Sequence, residues 1–123
     1  MNIDQEIAAL VGFTTVREEN HPWTSTCALV GERAGRIESV PCWSKDCEKA
    51  HALLEEIAVR HGYILHIAYS PATTWFTNIE QDMDGFWIER KVAGPVSGKT
   101  VAEALALLAR LILRRENSNE HSA

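Results

Sequence analysis

The most apolar segment of the chain, residues 101–113, lies near its end, directly behind the run Ala93-Gly-Pro-Val-Ser-Gly-Lys-Thr100. That placement limits the folds open to the chain. The run has the form of a relaxed phosphate-binding loop, with Ala93 where glycine is wanted and Gly98-Lys99-Thr100 in place. Such a loop works as the first crossover of a parallel sheet, with later strands supplying a carboxylate that positions magnesium. Helix and polar tail follow Thr100, leaving nothing from which a second strand can be built. The sequence therefore predicts a final helix that closes over a sheet already made, capped by Ser97 or Thr100 after a Gly-Pro turn. Nucleotide hydrolysis is set aside on this ground.

A chain of 123 residues, 46% of them hydrophobic, supports one packed domain and is too short for two ordinary ones. The run 101–113 is interrupted by Glu103 and Arg110 and is too short to span a bilayer. The start is acidic, without an apolar leader, and three cysteines cannot complete a disulfide framework. These features give the expectation of a cytoplasmic protein with no membrane contact. A net charge of −5 argues against direct nucleic-acid binding, which needs a basic face. It suits an acidic protein presented to a basic partner. Arg110, Arg114 and Arg115 gather near the expected end of the last helix, where they oppose its dipole.

Periodicity gives the element order. Residues 2–12 read as a helix with Ile3, Ile7, Leu10 and Val11 on one face, ended by Gly12. Residues 14–23 have a weak pattern, and His21-Pro22 forbids regular helix there. Short strands are expected at 25–30 and 36–40, joined through the loop 31–35. Ser44 reads as the N-cap of a helix through His61, with a buried stripe of Cys47, Ala50, Leu54, Ile57, Ala58 and His61 and a closing Gly62. Residues 63–69 alternate as a strand. Two more strands, 73–79 and 86–92, flank a hairpin connection at 81–85 that ends Asp84-Gly85. The last helix runs over 100–115, and 117–123 reads as a fraying polar tail. The expected fold is α+β, a single domain over 1–116, with an antiparallel sheet sandwiched by helices in the order α-β-β-α-β-β-β-α.

Three segments carry a resemblance. They are Val40-Pro-Cys-Trp-Ser-Lys-Asp46 leading into a helix, the strands bearing Trp75 and Trp87, and Thr100-Val-Ala-Glu-Ala-Leu-Ala-Leu-Leu-Ala109. Over residues 40–113 the chain resembles the small phage and prophage proteins of the phage ABA-sandwich domain family. The resemblance implies a sheet between helical layers and a bacterial virus or prophage as source. It implies no catalytic residue. Small genes of that origin often serve counter-defence or host takeover.

Several constellations bear on chemistry. Cys47 and His51 are one helical turn apart, and Cys42 lies just before them, so these three are the metal candidates. A structural zinc site needs a fourth ligand from His21, Cys27, His61 or His66, and no paired C-x-x-C knuckle is present. No metal or cofactor is therefore expected. Cys47 with His51 also has the makings of a nucleophile and base, Cys47 lying in a helical first turn. Glu80, Asp82, Asp84 and Gly85 imitate half a calcium loop, but Lys91 stands where the closing carboxylate is required. They read instead as an acidic hairpin tip, and Glu18-Glu19 adds to the acidity.

Of the four tryptophans (Trp23, Trp43, Trp75 and Trp87), Trp75 and Trp87 lie on strands that share a hairpin and are expected to pair on one face. Phe76 and Phe86 would take the other. A hairpin apolar on both faces needs cover on both, from helices or from a second chain. On the last helix Leu107 falls among Glu103, Arg110 and Arg114, on the expected wet side, which suggests a homodimer contact there.

The functional expectation is a non-enzymatic accessory protein that binds and inhibits a host factor in the host cytosol. Its contact residues would be Glu80, Asp82, Asp84, Trp75, Trp87 and Leu107. One alternative is a module that sequesters a nucleotide or other small molecule through Arg90, Lys91 and Lys99. Another is a small enzyme using Cys47 and His51.

Overall fold

A computed structural model of the chain describes residues 2–20 and 27–122. His21 and Trp23 lie outside the described residues, as do the side chains of Glu19, Cys27 and Tyr69. The first helix, α1 (Ile3–Leu10), opens on a reciprocal cap. The Gln5 amide N–H donates to Asn2 Oδ1 at 2.8 Å, and the Asn2 N–H donates to Gln5 Oε1 at 3.0 Å. Ile7 and Ala8 are buried.

The stretch read as patternless is strand β1 (Thr14–Asn20), paired antiparallel with β2 (Cys27–Arg33). It is an edge strand, and consecutive residues Arg17 and Glu18, on opposite faces, are both exposed, so it needs little apolar sequence of its own. A register shift between Thr14 and Arg17, with Thr15 at φ 53°, also breaks the alternation that would have betrayed it. A two-residue turn, Ala34-Gly35, then leads into β3 (Arg36–Ser39). The element order is α-β-β-β-α-β-β-β-α, and the strands form two three-stranded antiparallel sheets. The α+β class stands, with one strand and one sheet more than the sequence suggested.

Helix α2 (Cys47–His61) is capped by Asp46, whose carboxylate accepts the Lys49 N–H at 3.2 Å. Ser44, the expected cap, is engaged elsewhere. Its N–H and hydroxyl donate to the two carboxylate oxygens of Asp4, at 2.9 and 2.8 Å, and tie the turn before α2 to α1. The buried stripe is Ala50, Leu53, Leu54, Ile57 and Ala58. Cys47 and His61 fall outside it and are exposed. Gly62, at φ 70°, closes the helix, and the Tyr63 N–H donates to the Ala58 carbonyl.

The second sheet is a meander of β4 (Leu65–Ser70), β5 (Thr73–Gln81) and β6 (Trp87–Ser97). On its inner face Phe76 is fully buried, and the Thr74 hydroxyl donates to the Ala104 carbonyl of α3 (Val101–Ser122). The Thr100 hydroxyl accepts the Glu103 N–H at 3.1 Å, which caps α3 as expected. Gly98 precedes it where a Cβ would stand 2.6 Å from the Ala104 nitrogen. The helix continues past Arg115 through residues expected to fray. It packs on β5 and β6 and against both α1 and α2. One core joins the layers, with Ile7, Phe13, Leu29, Trp43, Leu54, Phe76 and Leu108 among its members.

Candidate functional site

The β5–β6 hairpin ends in a turn built by Asp82. Its Oδ1 accepts the N–H groups of Asp84 and Phe86, at 3.0 and 2.8 Å, and its own N–H donates to the Phe86 carbonyl at 2.8 Å. Gln81 supports the turn by donating to the Gly85 carbonyl at 2.9 Å. The tip is thus a made structure, and what it presents is apolar. Met83 is wholly exposed, Phe86 is 70% exposed and Trp87 is 63% exposed. Three large apolar side chains are thus exposed within one short turn and its strand exit, and exposed side chains of this kind anchor partners.

The acids around them divide by role. Glu80 forms an ion pair with Arg90 across the strands, and Asp82 is committed to the turn. Among the described residues, Asp84 is the tip acid whose carboxylate has no bonded partner. The tip therefore keeps an acidic rim around an aromatic centre, with Asp84 its free charge.

Trp75 and Trp87 share the outer face of the sheet but do not pair. Trp87 stands opposite Gln81, whereas Trp75 stands opposite Ala68, roughly 20 Å away along the strand. Phe86 is not on the covered face either, because it lies in the turn ahead of β6. Trp43 is buried in the core.

The remaining candidates are dispersed. Arg90 is held by Glu80, Lys91 is exposed on β6, and Lys99 lies in the turn before α3, where its N–H donates to Glu103 at 3.1 Å. None of the five main grooves is lined by these three side chains. Cys42 and Cys47 face different hollows. Cys42 borders one of about 420 Å³ beside Asp4 and Lys45, and Cys47 borders one of about 570 Å³ between α2 and α3. His51 and Glu55 share the latter groove, with His51 Nδ1 3.2 Å from Glu55 Oε1. No hydrogen bond joins His51 to Cys47, and both flank an open, mostly apolar surface. Among the described residues no group of three or more His, Cys, Asp or Glu side chains is placed to hold a metal ion.

Leu107 is half-buried rather than exposed. Its face of α3 carries α1, because Glu6 of α1 pairs with Arg110 at 2.8 Å and with Arg114 at 2.6 Å. Arg115 donates to the Val92 carbonyl at 3.2 Å. The arginines therefore tie elements together, and the helix end whose dipole they were expected to oppose lies further on.

Sequence reasoning missed Met83, Phe86 and Ile64 as surface residues. Placing Phe86 at the start of a strand, on its covered face, hid it, although Asp84-Gly85 already marked the next position as a turn exit. Among the described residues no helix is long and apolar enough to cross a membrane. No family model, curated protein or solved structure matches the chain.

Proposed function

We propose that this protein is a non-enzymatic binding module of phage type that occupies a basic surface of a host protein through the β5–β6 tip. The observation that carries the reading is the exposure of Met83, Phe86 and Trp87 together on one ordered turn. Apolar anchors on a rigid turn lose little conformational freedom on binding, which favours affinity. The acidic rim and the net charge of −5 favour a basic partner and repel nucleic acid and anionic membrane. The source in a bacterial virus and the counter-defence role rest on the resemblance and belong to this proposal. A contact through α3 has less to work with, since Ala104, Leu105, Leu108, Ala109, Ile112 and Leu113 are all buried within the chain.

The test begins with a photo-crosslinking amino acid at position 83, exposed to bacterial lysate. The captured protein is then purified and its affinity measured. Replacing Met83, Phe86 and Trp87 together by serine is expected to weaken that complex by more than about 100-fold. Asp84→Lys is expected to slow association and flatten its salt dependence. A complex indifferent to the serine variant would overturn the proposal.

A further inference from the structure

Among the described residues, helix packs on one side of the second sheet. Phe76 and Thr74 face α3 and are fully buried, whereas on the opposite face Ile64, His66, Trp87, Glu89 and Lys91 are exposed, Trp75 and Ile79 are half-buried and Thr77 is buried between His66 and Glu89. Its rows follow from the strand register. Gln81 and Trp87 make the first row, and Ile64, Ile79 and Glu89 the second. His66, Thr77 and Lys91 make the third, and Ala68 and Trp75 the fourth. Ile64 is 53% exposed, and neither Trp75 nor Ile79 belongs to the core. An antiparallel sheet tolerates one wet face, but that face is then polar. This one carries two tryptophans and two isoleucines.

The polar groups on the face indicate what covers it. Glu89 accepts from the Thr77 hydroxyl at 2.7 Å and meets His66 Nδ1 at 2.5 Å, so it is locally balanced. Lys91, one row away on the same strand, has no ion-pair partner among the described residues. The face thus holds one acid and one spare base side by side, unlike the acidic tip. A strongly charged partner is a poor match for it. A copy of itself is a good one. Consider a two-fold axis lying in the contact plane, crossing the strands between the second and third rows. It sets β6 over β6 with strands antiparallel. Glu89 of each chain then lies over Lys91 of the other, and the Trp87 row lies over the row of Ala68 and Trp75.

We propose that the outer face of β4–β5–β6 is the contact with a second copy of this chain, arranged in this antiparallel way. The arrangement is isologous, so one patch serves both chains. It gives the uncovered tryptophans and isoleucines a dry neighbour. It also leaves the two hairpin tips at opposite ends of the dimer, with Met83 and Phe86 outside the contact and Trp87 shared between the contact and the tip.

Native mass spectrometry and sedimentation velocity of the full chain test the proposal. The wild type is expected to show a concentration-dependent dimer. Glu89→Lys and Lys91→Glu each place like charges across the two-fold, and each alone is expected to weaken the dimer about tenfold. Mixed together, the two variants restore both pairs, and a heterodimer is expected at wild-type strength. Ile64→Lys, at an exposed position outside the core, is expected to dissociate the dimer while circular dichroism stays unchanged. A monomer at every concentration would overturn the proposal. So would a dimer that survives both Ile64→Lys and Lys91→Glu, or single variants that do not recombine.

Discussion

The link between Asp4 and Ser44 joins residues 40 positions apart and offers a sharp test of the packing. Asp4 is 8% exposed, and both its carboxylate oxygens are used. A hydrogen bond to a charged acceptor contributes about 1.5–3 kcal/mol net. The Ser44 region is only half-buried, so water re-enters when Asp4 is removed and recovers part of that. Asp4→Ala should therefore cost about 2–3 kcal/mol, toward the upper part of the usual range for point substitutions. Ser44→Ala removes the hydroxyl and keeps the backbone bond, and should cost about 1 kcal/mol. In the double variant the hydroxyl has no partner left to lose, so the two costs should fall short of additivity by about 1 kcal/mol. Urea unfolding at neutral pH, followed by the fluorescence of buried Trp43 and its fellow tryptophans, reads all four corners of the cycle. For a chain of this length the Asp4→Ala loss corresponds to roughly 10 °C in Tm. Additivity within about 0.5 kcal/mol, or an Asp4→Ala cost below that figure, would refute the claim that this pair fastens α1 to the entry of α2.

Three further outcomes are expected. Gly98→Ala drives a Cβ against the backbone of Ala104, which has no side-chain end to yield, and should destabilise by about 2 kcal/mol or more in thermal unfolding. The Thr77 hydroxyl, and then His66, hold the Glu89 carboxyl below its ordinary range. A carboxylate pKa lowered by folding contributes stability above its unfolded value and loses it as pH falls through the folded value. Wild type should therefore exceed Glu89→Gln in Tm at neutral pH, and the two should converge on acidification through the carboxylate range. A gap that widened in acid would contradict this. Finally, Cys42 and Cys47 should both react with Ellman's reagent in the native state, and added zinc should protect neither, because they border separate hollows.

Much of the architecture was legible because it rests on local chemistry. The cap at Thr100, the left-handed Gly62, the alternation of Leu65 and Ile67 against Ile64 and His66, and the Asp84-Gly85 turn all follow from residues within a few positions of one another. What escaped depended on distant partners. The strand Thr14–Asn20 has no apolar alternation of its own and exists because β2 pairs with it. Ser44 has the profile of a helix cap, and only Asp4, far away in sequence, diverts it. Leu107 sits among charges that look wet until Glu6 closes over Arg110 and Arg114. Cys47 fits the helical stripe by spacing but is exposed because it is the first residue of α2, where it borders the groove toward α3.

The candidate surfaces follow from a count of layers. Two sheets have four faces, and the three helices also pack on one another, with α3 in contact with both α1 and α2. Among the described residues, helices so arranged pack on the inner faces, and the outer face of the second sheet keeps Ile64 and Trp87 exposed. The two outer faces differ in what they carry. On the first sheet exposed Ile37 stands beside Glu32, and Val30, in the row of Arg17 and Ser39, is buried. On the second sheet the rows carry Ile64, Ile79, Trp75 and Trp87 and run out into Met83 and Phe86. Single exposed apolar residues are ordinary, but a continuous set along one meander costs solubility unless something covers it. The exposed apolar set thus singles out the second sheet as the working surface. Its charge pattern then separates a balanced face suited to a second copy from an acidic tip suited to a basic stranger.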